Sequence, residues 1–135
     1  MLTDFFTAKR DEIDALDPDL EGIDFQSVPA KGVDPVKISA LDEILTGEQV
    51  EISEPVRESP SGESWIYPIR EELGMALANM SLESTHLFAE RWARTEEWRR
   101  DEGDAAELDQ LLRALKALAV KAKDDGKGIY VHISL

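Results

Sequence analysis

The C-terminal end of the chain carries the pattern that most constrains its fold, an amphipathic helix followed by an alternating strand. Leucine and alanine recur at the three-and-four spacing of one helix face, at Leu108, Leu111, Leu112, Leu115, Leu118, Ala119 and Ala122. The last residues alternate between apolar and polar side chains with the period of a strand. Both elements have an apolar face to bury, so we expect the apolar side chains of the strand to face helices. These side chains are Ile129, Val131, Ile133 and Leu135.

The residues that flank this helix mark its ends. Asp104 stands at the N-cap position with Glu107 three residues later, which resembles a capping box. Lysines follow near the C-terminal end, where the helix dipole favours cations, and a segment with two glycines then breaks the pattern. The sequence therefore predicts a helix over about residues 105 to 123.

Three more helices are indicated upstream. Asp34 and Pro35 are typical of an N-cap and a first helical residue, and Gly47 follows the last apolar position of that segment. A second helix is predicted from Pro68 to Met80. A third is predicted from Leu82 to about Arg100, which gives a count of four helices.

Short strands are predicted at Leu2–Thr7, Val50–Ser53 and Trp65–Tyr67, in addition to the C-terminal strand. Helices and strands do not alternate regularly along the chain, which favours α+β over α/β. We expect a single domain over residues 1–135, with a small, mainly antiparallel sheet and about four helices packed on one face. The segment 18–33 has few periodic residues and is predicted to be an acidic loop.

Composition excludes several classes of function. The chain has no cysteine, which excludes disulfides, thiolate metal sites and cysteine nucleophiles. It has no basic leader before a long apolar stretch, and no segment approaches the roughly 20 apolar residues that span a bilayer. The net charge of -14 opposes binding to nucleic acid or to an anionic membrane. We therefore expect a cytoplasmic protein whose charge suits a basic partner.

Acidic residues are concentrated at the start of the chain. The first 60 residues carry fifteen acids against five bases, and the remaining 75 carry fourteen against ten. The densest run holds seven acids and no base, and we predict that its side chains bind the partner: Asp11, Glu12, Asp14, Asp17, Asp19, Glu21 and Asp24. The alternative is a hydrated surface that only keeps the protein soluble.

Part of this run matches a calcium-binding EF-hand loop. From Asp17 to Gly22, acidic residues and a glycine fall on its first, third, fifth and sixth positions. Asp24 then stands where an apolar residue is required, and Val28 where the loop needs a bidentate glutamate. We therefore assign no metal to this run. The sequence also has no Gly-x-Ser-x-Gly, Walker or Gly-x-Gly-x-x-Gly motif, so we assign no cofactor and no catalytic residue.

The two histidines offer the alternative function, a small enzyme or ligand-binding protein. His86 and Glu90 are four residues apart in a predicted helix, and Tyr130 and His132 share the non-core face of the last strand. All four side chains can form one site only if that helix covers that face of the sheet. Packing or surface roles are the competing interpretation.

Two tryptophans lie in the arginine-rich run Arg91–Trp98 (RWARTEEW). They are six residues apart, so a continuous helix would turn them about 240° from each other and could not bury both in one stripe. Tryptophan and arginine are enriched at binding hot spots, and we therefore name Trp98 as a partner-binding anchor. The alternative is that Trp98 packs under a loop. An assembly role through Trp98 and exposed strand edges is a third interpretation.

The run RWARTEEW, the leucine-rich helix after it and the ending GKGIYVHISL resemble the C-terminal half of small bacterial proteins of uncharacterised function. This resemblance implies a bacterial cytoplasmic source, and it implies no activity, substrate or site residue.

The leading hypothesis from the sequence is a non-enzymatic interaction domain that binds a basic protein, in the manner of small acidic immunity or inhibitor proteins.

Overall fold

Five strands in the described part of the chain form one antiparallel sheet. The computed structural model describes residues 1–20, 25 and 27–135. The strands are β1 (Leu2–Ala8), β2 (Ser27–Pro29), β3 (Arg57–Glu58), β4 (Ser64–Pro68) and β5 (Gly128–Ser134). They are arranged in the order β2-β1-β5-β4-β3, with every neighbouring pair antiparallel. The prediction that the C-terminal strand belongs to a mainly antiparallel sheet is confirmed, and this strand lies in the middle of the sheet.

Six helices occur in the described part of the chain. They are α1 (Arg10–Asp14), α2 (Pro35–Thr46), α3 (Glu71–Asn79), α4 (Thr85–Ala93), α5 (Glu96–Arg99) and α6 (Ala105–Asp125). The main core joins α2, α3, α4 and α6 to one face of the sheet, where Val131 and Ile133 of β5 are buried. The prediction that about four helices cover one face is confirmed. Leu135, expected to face the helices with these residues, is instead 75% exposed.

The helix ends with strong sequence signals are confirmed. Asp34 caps α2, because its carboxylate accepts a hydrogen bond from the Lys37 backbone N–H. Asp104 caps α6 in the same way through Ala106. Gly47 and Gly126 follow the two helices in the left-handed conformation, which glycine adopts at no steric cost.

The helix predicted from Leu82 to Arg100 is divided into α4 and α5. Thr95 adopts an extended conformation between them. Its hydroxyl donates to the Trp92 carbonyl oxygen at 2.6 Å, and this side-chain bond takes up one of the last carbonyls of α4.

Three other sequence predictions are corrected. Val50–Ser53 forms no strand, and α3 begins at Glu71 because Pro68 ends β4. Of the segment predicted as an acidic loop over 18–33, residues 21–24 and 26 lie outside the described residues, and the described part contains β2 and the buried residues Ala30 and Val33. The short elements α1, β2 and β3 were not predicted, because five residues or fewer show no periodicity.

A second, smaller core lies on the opposite face of the sheet. Phe6, Ile66 and Tyr130 point to this side, and α1 with the turn after it covers them through Ile13 and Leu20. The rings of Phe6 and Tyr130 are stacked with their centroids 6.0 Å apart. The start of the acidic run is therefore folded onto the sheet.

No helix in the described part of the chain is long and apolar enough to cross a membrane.

Candidate functional site

The acidic run begins on α1 and continues into a turn that Arg57 of β3 holds in place. The Arg57 guanidinium donates hydrogen bonds to four main-chain carbonyl oxygens, those of Ile13 at 2.7 Å, Asp14 at 3.4 Å, Leu16 at 3.0 Å and Asp17 at 3.2 Å. The carbonyls at a helix C-terminus have no partner within the helix, and a guanidinium presents several donors in one plane. Arg57 therefore caps α1 from a neighbouring strand and fixes the conformation of the turn.

This arrangement leaves the acidic side chains at the surface. Ile13 and Leu20 are buried, whereas the exposed acids of the segment are Asp11, Asp14, Asp17 and Asp19. Glu12 is half-buried, and its carboxylate accepts a hydrogen bond from the Lys9 backbone N–H at 2.9 Å. Of the predicted binding residues, Glu21 and Asp24 lie outside the described residues. Five of the seven predicted acids therefore share one ordered segment, which we call the acidic segment (residues 9–20).

The structure contradicts the prediction that Trp98 is a binding anchor. Trp98 is 6% exposed and stacks edge-on against Trp92, with ring centroids 5.6 Å apart. A Cβ added to Gly103 would lie 2.9 Å from the Trp98 Cβ atom, so the turn after α5 is in tight contact with the indole. Because the helix is interrupted at Thr95, the spacing of six residues no longer turns the two tryptophans to different faces, and both pack in the main core. The alternative interpretation, packing under a loop, is the one observed.

A buried lysine accompanies this tryptophan pair. Lys37 is 2% exposed, and its ammonium lies 4.2 Å from the centre of a Trp98 ring. The ammonium donates to the Gly32 carbonyl oxygen at 2.7 Å and forms an ion pair with Asp101. The Trp92 indole N–H in turn donates to the Lys37 carbonyl oxygen at 2.9 Å. These contacts tie α2 to α4 and to the turn after α5, so their role is in packing.

The four residues of the alternative enzyme hypothesis do not form one site. His86 Nε2 and Glu90 Oε1 are 3.0 Å apart on α4, a helix of the main core. Tyr130 belongs to the core on the opposite side of the sheet, and His132 shares its face two residues along β5. The required convergence fails because α4 covers the other face of the sheet.

The structure instead pairs His132 with Ser64, a residue that the sequence did not single out. His132 Nε2 and Ser64 Oγ are 2.5 Å apart, on the adjacent strands β5 and β4. Asp4 of β1 lies directly across from His132 on its other side. Alternation placed His132 on this face, but only the strand order reveals which side chains are its neighbours.

Two opposing effects act on the pKa of His132. Partial burial lowers it below the ordinary 6.5 because a charged imidazole is poorly solvated there, and the Asp4 carboxylate raises it. Burial is the larger effect, so the imidazole is neutral at neutral pH.

A small apolar cleft of about 180 Å³ lies between α2, α3 and residues 50–53. Arg70 stands at its edge and makes two hydrogen bonds to Asp42, at 2.8 and 3.0 Å, which raise its pKa. The same guanidinium contacts Glu48 and Glu72, each at 3.1 Å. Because three carboxylates already surround it, Arg70 is not available to bind an anionic ligand.

Among the described residues, no group of three or more histidines and carboxylates is arranged to hold a metal ion.

No family model, curated protein or solved structure matches this chain.

Proposed function

We propose that the protein is an interaction domain whose acidic segment binds a basic protein. The net charge of -14 favours a partner of opposite sign and a fast encounter with it. The acidic segment provides exposed carboxylates within a few residues of one another, including Asp11, Asp14 and Asp17.

The cap that Arg57 places on α1 is the observation that carries this proposal. Four carbonyl contacts, with buried Ile13 and Leu20 on either side, hold the acidic segment against the sheet before any partner arrives. A surface that is already ordered avoids the entropy cost of fixing a flexible loop on binding.

The buried position of Trp98 defines the kind of binding that we propose. With this indole inside the core, the acidic segment contributes charge without a central aromatic anchor. Attraction between exposed charges is screened at physiological salt, where the Debye length is about 8 Å. The complex is therefore expected to form quickly and to weaken steeply as salt is added.

The test compares two triple variants that lose the same number of charges. The first removes charge from the acidic segment through Asp11→Asn, Asp14→Asn and Asp17→Asn. The matched control removes three exposed acids from helices of the other layer through Glu43→Gln, Glu71→Gln and Asp124→Asn. Binding of a fluorescent oligo-lysine peptide is measured by anisotropy at low and at physiological salt.

Exposed ion pairs contribute about 0.2–1 kcal/mol each, so three of them correspond to roughly a tenfold change in affinity. We expect the first variant to bind the peptide about tenfold more weakly at low salt, and the control to lose less than about threefold. Equal losses in the two variants would mean that binding follows total charge alone, and the proposal would then be wrong. Wild-type affinity that does not depend on salt would also contradict it.

A further inference from the structure

The face of the sheet opposite the main core is closed at one end and open at the other. The closed end holds Phe6 and Tyr130 beneath α1, and the charges of Arg10 and Asp14 on that helix act on the Tyr130 hydroxyl. At the other end Ser64, His132 and Asp4 are only half-buried. Leu2, which pairs with Ser134 beside Ser64, is 71% exposed. A hydroxyl, an imidazole and a carboxylate thus share the accessible part of this face.

The three side chains are held by the three central strands of the sheet. Asp4 and Ile66 lie on either side of His132 in the strand register, and Ser64 is two residues from Ile66 on the same face. The main chain of Ser64 is fixed by Ser59, whose N–H donates to the Ser64 carbonyl at 2.8 Å and whose hydroxyl accepts from the Ser64 N–H at 3.1 Å. The Ser64 hydroxyl is not needed for that turn and points to the imidazole.

The charge state of His132 suits it to accept the serine proton. A neutral imidazole carries one unprotonated nitrogen, and the 2.5 Å contact places Nε2 against the Ser64 oxygen. The Asp4 carboxylate favours the protonated imidazole that such a transfer creates. Serine is a weak nucleophile until an adjacent base removes its proton, and this pair meets that geometric condition.

We propose that Ser64 is a nucleophile, with His132 as its general base, that accepts acyl groups from small activated esters such as aryl esters. As Ser64 Oγ forms a bond to the ester carbonyl carbon, its proton passes to His132 Nε2. The bond between that carbon and the leaving phenolate breaks, and the phenolate takes the proton from His132. An activated ester is the substrate class because its leaving group departs readily.

The competing interpretation of the contact between Ser64 and His132 is a hydrogen bond whose only role is to join β4 to β5. These two strands are already paired through their main chains over five registered residue pairs. The accessible position of the pair and the carboxylate next to it favour a chemical role.

The test uses the full chain with p-nitrophenyl acetate, followed by peptide mapping of the acetylated protein by mass spectrometry. We expect an acetyl adduct on Ser64 in the wild type. In Ser64→Ala, p-nitrophenolate release should fall to the rate given by surface lysines and exposed His86. In His132→Gln, acetylation of Ser64 should fall by about 100-fold, which is typical for loss of a general base.

Ser61→Ala is the matched control. The Ser61 hydroxyl lies in the same turn, 3.1 Å from the Ser59 hydroxyl, and has no role in the proposed reaction. Its rate should equal the wild-type rate. The proposal is overturned if the wild type carries no adduct on Ser64, a result that needs no variant to fold. It is equally overturned if His132→Gln, with an unchanged circular dichroism spectrum, is acetylated at Ser64 as fast as the wild type.

Discussion

Replacing Arg57 with alanine should release the acidic segment from the sheet. The change removes four hydrogen bonds to main-chain carbonyls, of which those to Ile13 at 2.7 Å and Leu16 at 3.0 Å are partly buried. Hydrogen bonds to charged groups contribute about 1.5–3 kcal/mol each, and the lower value suits partly buried bonds. The bonds to Asp14 and Asp17 are longer and exposed, so water replaces them at little cost. We therefore expect the free energy of unfolding to fall by about 3 kcal/mol.

Urea denaturation followed by tryptophan fluorescence measures this loss, because Trp92 and Trp98 lie in the main core. Amide hydrogen exchange measures the local effect, and protection should fall at Ile13 and Leu20 more than in α6. Arg57→Lys is an informative companion, since a single ammonium cannot reach all four carbonyls and should restore only part of the stability. Arg99→Ala, which removes an exposed arginine from α5, is the control and should change stability by less than about 0.5 kcal/mol.

If Arg57→Ala is as stable as Arg99→Ala and its acidic segment keeps its protection, the cap does not order the segment. The main support for a preformed binding surface would then be lost. If Arg57→Ala loses the protection but still binds the oligo-lysine peptide as tightly as the wild type, order in the segment is not needed for binding, and the preorganisation argument is refuted.

Two further predictions concern packing and pH. Gly103→Ala should lower the free energy of unfolding by about 1–3 kcal/mol, because the new Cβ would lie 2.9 Å from Trp98. Gly74 lies within α3, and a Cβ added there would lie 3.6 Å from Ile129, an ordinary contact. Gly74→Ala should therefore raise the free energy of unfolding by about 0.5–1 kcal/mol. An equal loss of stability in both variants on urea denaturation would contradict the packing described. Burial lowers the pKa of native His132 below 6.5, so His132 binds a proton more readily in the unfolded chain than in the native one. The free energy of unfolding therefore falls as pH drops below about 6.5. His132→Gln should lose less stability than the wild type between about pH 8 and pH 5, and a native His132 pKa at or above 6.5 in an NMR titration would refute this explanation.

The elements predicted correctly are those whose signals are local. In α6 and α2, spacing of apolar residues, an aspartate cap and a terminal glycine all agree, and both helices begin at the expected residues. The strand pattern of the C-terminal residues is equally local, and β5 occupies the centre of the sheet. The α+β class followed from these elements.

The errors occur where specific side-chain contacts outweigh the pattern of residue types along the chain. The helix predicted over Leu82–Arg100 is broken because the Thr95 hydroxyl bonds to a carbonyl of α4. The same break allows Trp98 to join Trp92 in the core, where it cannot anchor a partner. The attachment of the acidic run to β3 by Arg57 was not predicted, because it depends on contacts 40 or more residues apart in sequence.

The sequence by itself determined the charge of this protein, the helices α2 and α6, the position of His132 on one strand face and the acidic residues near the N-terminus. These properties depend on residue type and on spacing within one element. The tertiary structure alone decided that Ser64 and Asp4 flank His132, that α4 lies on the opposite face, and that Arg57 orders the acidic segment. These relations depend on strand order and register, which bring together residues whose separation along the chain carries no local signal.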